Sequence, residues 1–217
     1  MFNVPARKIK IIPNGVNEYF FHDISPGIFR EYSKIHGPFV LHVGRFDPVK
    51  NHKTIINACA ELQCQVVFIG DANIDQLSYA RECRELAQKL QSQDSTGHTR
   101  YYFFNAFHND DLLLRSAYAS ASVFVLPSHF ETFGISALEA ALAGTPLILS
   151  HNMSSKDIFQ AYAKFVSPNS VSELKTAIND SMAEQKRITL NLREDLMNKY
   201  SWDSIAKNLE DAYLSLC

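Results

Sequence analysis

FVLHVGRFDPVKNHKTIINACAELQCQVVFIGDAN, residues 39–73, decides the fold. Two short runs of β-branched and aromatic residues, FVLHV (39–43) and QVVFI (65–69), flank KTIINACAELQ (53–63), whose apolar residues recur at helical spacing. A half-solvated strand would alternate apolar and polar residues, whereas both of these runs are continuously apolar. They therefore read as neighbouring parallel strands buried on two faces and joined by a crossover helix. Each run ends in glycine followed by polar residues, Gly44-Arg45 and Gly70-Asp71.

The same alternation extends outward in both directions. Strand-type runs recur at KIKII (8–12), YYFF (101–104), VFVL (123–126), PLIL (146–149) and KFV (164–166). Helical spacing fills DQLSYARECRELAQKLQSQ (75–93), DDLLLRSAYASA (110–121) and ISALEAALA (135–143). The expected fold is α/β, a Rossmann-like doubly wound parallel sheet. Beyond residue 170 the strands stop, and 170–217 reads as two or three amphipathic helices with Ser201 and Ser204 as caps around the last. SQDSTGHTR (92–100) is polar and is expected as an exposed loop. Residues 1–217 are expected to form one compact domain.

Composition excludes several classes of function. A formal net charge of −2 gives no basic surplus, so no nucleic-acid partner is expected and any cationic site must be local. Cys59, Cys64, Cys83 and Cys217 show no CxxC spacing, and the eight histidines form neither HxH nor HExxH, so no metal site is expected. Without a signal-type apolar segment or a run of membrane-spanning length, the chain reads as cytoplasmic. No two of the eight glycines are spaced two apart, and none precedes a Lys-Ser/Thr pair, so neither a GxGxxG fingerprint nor a P-loop is present.

In a doubly wound sheet, ligands bind beyond the carboxyl ends of the strands. Gly44 at a strand tip allows close backbone approach, and Arg45 and Lys50, five residues apart across a proline-containing loop, can converge on one anion such as a diphosphate. Two solvated loop cations are the plain alternative. Gly70, Asp71 and Asn73 sit on the same rim, and Asn105 ends another strand, although taken alone an ordinary βα turn is the preferred reading of the first three and accounts for the last. In PSHFETFGISALEAALAGTPLILS (127–150) two acids, Glu131 and Glu139, interrupt a mostly apolar stretch. The helix over 135–143 is apolar nearly all round, so Glu139 needs a partner, and a ligand's hydroxyl groups could supply one. Gly134 marks the helix start, where unbonded N–H groups and the positive dipole end face an anion, and the two acids bracket that point.

PNGV (13–16), VGRFDPVKN (43–51), FIGDAN (68–73), LPSHFETFGISALEAALAGTPLI (126–148) and YSWDSIA (200–206) occur in order over nearly the whole chain. Together they resemble the C-terminal, donor-binding half of retaining GT-B glycosyltransferases, the glycosyltransferase group 1 family. The resemblance implies that Glu131 contacts the transferred sugar and that Glu139 accepts hydrogen bonds from the nucleotide ribose. It implies that Arg45 and Lys50 neutralise the donor diphosphate, and that Phe133, Gly134 and Ile135 approach phosphate and sugar. Gly44, Gly70 and Asn105 complete the donor-binding set. Thr132 stands where relatives often have glycine, and Ala72-Asn73 where many have Gly-Pro.

The implied activity is a retaining hexosyltransferase using a UDP-, GDP- or ADP-sugar, with no cofactor or metal. Its acceptor would be a glycan or a lipid-linked acceptor, in polysaccharide biosynthesis. Residues 1–16 resemble the interdomain crossover, so an N-terminal acceptor-binding domain is the expected partner and the isolated chain is expected to be inactive. A truncated chain or one half of a split enzyme would both fit. The full enzyme could be peripheral at the inner membrane. Two other functions stay open at this point, a non-catalytic nucleotide- or partner-binding α/β module and one half of a nucleotide-sugar epimerase.

Overall fold

The computed structural model describes Pro5 and residues 8–94, 100–108 and 111–215. Six parallel strands form one sheet: β1 Phe39–Val43, β2 Gln65–Ile69, β3 Tyr101–Phe104, β4 Val123–Leu126, β5 Leu147–Ser150 and β6 Ala163–Val166. Their order, β3-β2-β1-β4-β5-β6, reverses direction between β1 and β4. A crevice at the carboxyl edge is expected at that reversal. β1 pairs with β2 along its whole length but with β4 only at Val40↔Val123 and Leu41↔Phe124.

Strand side chains alternate between two helical layers, which is why the runs are continuously apolar. Phe39 and Leu41 face a core shared with α1 (Gly27–Ser33), α4 (Leu112–Ser120), α5 (Ile135–Leu142) and α8 (Leu190–Tyr200). Val40, Val66 and Phe68 face α2 (His52–Leu62), α3 (Leu77–Ser92) and α7 (Val171–Glu184). The short α6 (Lys156–Phe159) buries Phe159, and α9 (Trp202–Leu214) closes the chain. Ser201 accepts from the Ser204 N–H and so caps α9, whereas Ser204 lies inside that helix and does not cap it. Among the described residues, no helix is long and apolar enough to cross a membrane.

Three expectations need correction. KIKII forms no strand; its isoleucines at 9 and 11 are exposed, since no partner strand lies beside that segment. The segment ends instead with Val16 bridged to Ser201, its N–H donating to the Tyr200 carbonyl, so PNGV lies against the α8–α9 junction. The loop expected over 92–100 falls partly outside the described residues; Ser92 belongs to α3, and Ser92 and Gln93 are exposed, but the other end is not. Arg100 is buried and ion-paired with Asp94. Finally, α1 and α6 were not foreseen; each is too short to carry a clear amphipathic period.

Two arginines fasten the ends of α4 and α5. Arg187, in the α7–α8 connection, donates to the carbonyls of Ala119, Ala121 and Ala143. Arg193 donates through Nε to Leu142 and through Nη2 to Phe21, both at 2.5 Å. These are carbonyls that a helix end leaves without intrahelical partners.

Candidate functional site

The carboxyl edge is organised first by close backbone contacts. The Gly44 N–H donates to Ile69 O at 3.0 Å, Phe46 N–H to Asp71 O at 2.8 Å, and Gly70 N–H to Phe104 O at 3.0 Å. A Cβ at Gly70 would overlap the Gly44 carbonyl, so glycine there is what lets the tips of β1 and β2 lie together. Asp47 accepts from Val49 N–H at 2.8 Å and starts a 3₁₀ turn, Pro48–Lys50. Asn51 then takes a left-handed conformation, φ 63°, which asparagine tolerates better than most residues. Its buried amide donates to the carbonyls of Pro127 at 3.0 Å and Pro168 at 2.6 Å. Together with the His129 N–H to Val49 O bond, this ties the β1–α2 loop to the exit of β4.

Under that loop lies an aromatic floor. His52 stacks on Phe46 with ring centroids 4.3 Å apart and meets His42 edge-on at 4.6 Å. His42 Nδ1 is 2.9 Å from the Val125 carbonyl and so is the protonated nitrogen. Burial lowers the His42 pKa to about 4 despite that bond. Burial and the neighbouring His42 lower that of His52 to about 2. Both rings are neutral near pH 7.

The two loops meet in one ion pair. Lys50 Nζ lies 2.5 Å from Glu131 Oε2, and the two side chains are only 24% and 10% exposed. Glu131 is fixed by its backbone as well, its carbonyl accepting from Ser154 N–H at 2.8 Å beside a bridge to Met153. The Phe133 carbonyl accepts from Ser155 Oγ at 2.6 Å. Gly134 follows at φ +80°, the left-handed region that favours glycine, and opens α5. No side chain caps this helix and no acid sits in its first turn. The Glu131 Cγ lies 3.6 Å from where a Gly134 Cβ would be, which sets the Lys50–Glu131 pair against the unsatisfied amide end of the helix.

One turn into α5, Glu139 is buried and accepts a 2.7 Å hydrogen bond from the Tyr118 hydroxyl. The partner demanded by its burial thus comes at least in part from the chain itself. Burial raises the Glu139 pKa to about 7, with the Tyr118 bond acting in the opposite direction. Tyr118 is held in turn by an edge-on contact with Phe20 at 5.6 Å. Nothing in SAYASA (116–121) marks Tyr118 as a polar contact, because its partner lies 21 residues away and meets it only across the α4–α5 packing.

Among the sequence-predicted residues, Lys50 and Glu131 touch, Glu139 pairs with Tyr118, and Gly44 and Gly70 are packed together. Phe133 is buried beside Tyr200. Arg45, Asn105 and Ile135 are exposed on the same edge, and Arg45 makes no hydrogen bond or ion pair among the described residues. Asp71 braces the neighbouring loop by accepting from Ala106 N–H at 3.2 Å. The edge therefore combines one unpaired guanidinium, one paired ammonium and an uncapped helix amino terminus. That combination suits a ligand carrying negative charge at its centre.

The model of the family Glycosyl transferases group 1 matches residues 28–201. The chain is 29% identical over 229 aligned residues to an uncharacterized glycosyltransferase of Methanocaldococcus jannaschii, covering 98% of this chain and 55% of that protein. It is similar to the structure of sucrose-phosphate synthase from Thermosynechococcus elongatus, with 28% identity, TM-score 0.82, and coverage of 95% of this chain and 52% of that one. The fold also matches Anabaena HepE, solved in complex with UDP, at TM-score 0.82 and 19% identity over 97% of this chain and 58% of that one. The chain thus spans about half the length of these proteins.

Proposed function

The chain belongs to the glycosyl transferases group 1 family, and we propose that it is the donor-binding domain of a retaining hexosyltransferase. Joined to an N-terminal acceptor-binding domain, it moves a hexose from a nucleotide diphosphosugar to a hydroxyl of a glycan or lipid-linked acceptor. The observation that carries this reading is the Lys50–Glu131 pair set against the uncapped start of α5. Complexes of the structural neighbour HepE with UDP and with UDP-glucose support a nucleotide-sugar ligand for this edge.

On this reading the diphosphate lies between Arg45, Lys50 and the amide end of α5. Lys50 exchanges part of its contact with Glu131 for the phosphate oxygens, and Arg45 supplies bidentate N–H groups. As the bond from the anomeric carbon to the phosphate oxygen breaks, negative charge grows on the leaving diphosphate. Donors already fixed around it stabilise that charge without reorganising, a contribution commonly worth about 3 kcal/mol per donor. The salt bridge holds Glu131 in place beside the sugar, where it orients the ring. Glu139 accepts from the ribose hydroxyls, more strongly in its ionised form. Nucleotide affinity is therefore expected to rise as pH increases through about 7, the Glu139 pKa.

Titration calorimetry of the chain with UDP, GDP and ADP tests the reading. Saturable binding of one of them, lost in Arg45→Ala and Lys50→Ala, is the expected result. Equal affinity in wild type and both variants would sink it.

A further inference from the structure

A second cationic site lies at the opposite, amino-terminal edge of the sheet. There, segment 20–26, α4, the α5–β5 turn and α8 enclose a cavity of about 490 Å³. Arg115, Arg187 and Arg193 line it, against the single carboxylate of Asp23. That carboxylate is 98% exposed and only 3.5 Å from Arg193, so it cannot neutralise all three cations. In a chain of net charge −2, this is a local concentration of positive charge.

The guanidinium groups differ in how they are held. Arg187 spends its two Nη groups on the carbonyls of Ala119, Ala121 and Ala143. Arg193 uses Nε and Nη2 on Leu142 and Phe21. Among the described residues, this leaves the Arg187 Nε–H and the Arg193 Nη1 group without acceptors. Arg115 makes no guanidinium hydrogen bond among the described residues, and its Nε is buried without a partner. That enclosed Nε is out of reach of a ligand, but the Arg115 Nη groups, which are not enclosed and make no hydrogen bond among the described residues, can donate to a ligand oxygen. Arg187 counts as an exposed residue, yet its guanidinium is wedged between helix ends. Loss of water there, then repulsion from Arg193, lowers its pKa.

We propose that this cavity binds a soluble phosphate monoester, its dianionic group held by Arg115, Arg187 and Arg193. Two of the cations are oriented beforehand by backbone carbonyls, so little side-chain freedom is lost on binding. Phe20, Ile24 and Ile188 supply an apolar wall, and the volume lies in the range of small-molecule sites. A carbon-based body of a few atoms beyond the phosphate therefore fits. The cavity abuts Ala143 and Gly144 at the far end of the helix that begins at Gly134.

Calorimetric titration with glycerol 3-phosphate and with inorganic phosphate, at constant ionic strength in chloride, tests this site. Wild type is expected to bind both saturably. Arg115→Gln is expected to weaken binding about tenfold, the loss of one charge-assisted contact. Phosphate can also meet Arg45 at the donor edge, so the titrations are repeated in an Arg45→Gln background, where the weakening by Arg115→Gln is expected to persist. If Arg115→Gln does not fold, Arg115→Lys is read in its place and is expected to weaken binding less, in the same direction. The absence of saturable binding by wild type, or binding that survives at Arg115 and is lost at Arg45, overturns the proposal. The readout is the Arg115 dependence in that background, so failure of the donor-binding proposal and failure of this one are distinguishable.

Discussion

The two ends of helix α5 carry cations for opposite reasons. At its carboxyl end, Arg187 and Arg193 donate directly to the last carbonyls, so charge and helix dipole agree and the contacts stabilise the fold. At its amino end, Lys50 faces a helix terminus of the same sign, tolerated because Glu131 lies between them. Helices α1, α2, α3, α6 and α8 likewise have no side-chain cap at that end, but three others have one. Asp111 caps α4, Ser170 caps α7 and Ser201 caps α9. What sets α5 apart is that its uncapped end lies beside the Lys50–Glu131 pair, and that is where a ligand's negative charge would complete the arrangement.

The largest expected effect concerns Glu139, midway between these ends. Its folded pKa of about 7 exceeds the ordinary 4.5, so between those values the unfolded chain has released a proton that the folded chain retains. Its contribution to stability is full below pH 4.5 and is lost as pH rises to 7. His42 and His52 act oppositely. Held to about 4 and about 2, they stay neutral while the unfolded chain takes up protons below 6.5, so stability falls as pH drops. From pH 6.5 to 4.5 the two histidines outweigh the one acid, and wild type is expected to lose about 1.4 kcal/mol per pH unit. Glu139→Gln removes the opposing proton and roughly doubles that slope in urea denaturation. An unchanged slope would mean that Glu139 is ionised in the folded chain.

Next in size, Lys50→Ala is expected to lower nucleoside diphosphate affinity about 100-fold. It also leaves the Glu131 carboxylate without its cation. A Lys50→Met/Glu131→Gln double variant should therefore recover stability without recovering affinity. Arg187→Met, at the other end of α5, should do the reverse. It is expected to cost about 2 kcal/mol in denaturant unfolding, from three carbonyls losing a charged donor, with nucleotide affinity unchanged. The smallest effect is expected for Ser170→Ala, the loss of a single cap at about 1 kcal/mol with no effect on either ligand. Were Arg187→Met to abolish nucleotide binding while Lys50→Ala only destabilised the fold, the division of labour along α5 would be wrong.

The sheet was legible because its strands are buried on both faces and leave continuous apolar runs, from FVLHV through VFVL. KIKII has the same local character and no neighbour to pair with, a fact that lies outside any local window. At the site, glycine positions and strand ends pointed to the edge where Lys50, Glu131 and the start of α5 meet. The partners there were not legible. Lys50 and Glu131 are 81 residues apart, and the Tyr118–Glu139 bond depends on how α4 packs on α5. The arginine cavity escaped sequence reasoning for the same reason, since Arg115, Arg187 and Arg193 form no motif along the chain and converge only through packing.

The contact of Gly15 with the indole ring of Trp202 offers a built-in optical probe. Trp202 is the only tryptophan in the chain, so intrinsic emission excited at the red edge comes from that one position. Trp202 is 55% exposed, and peeling the amino-terminal strip away from the α8–α9 junction would uncover the remaining face that Gly15 covers and shift its emission modestly to longer wavelength. Fluorescence of the unlabelled protein can therefore separate detachment of that strip from global unfolding.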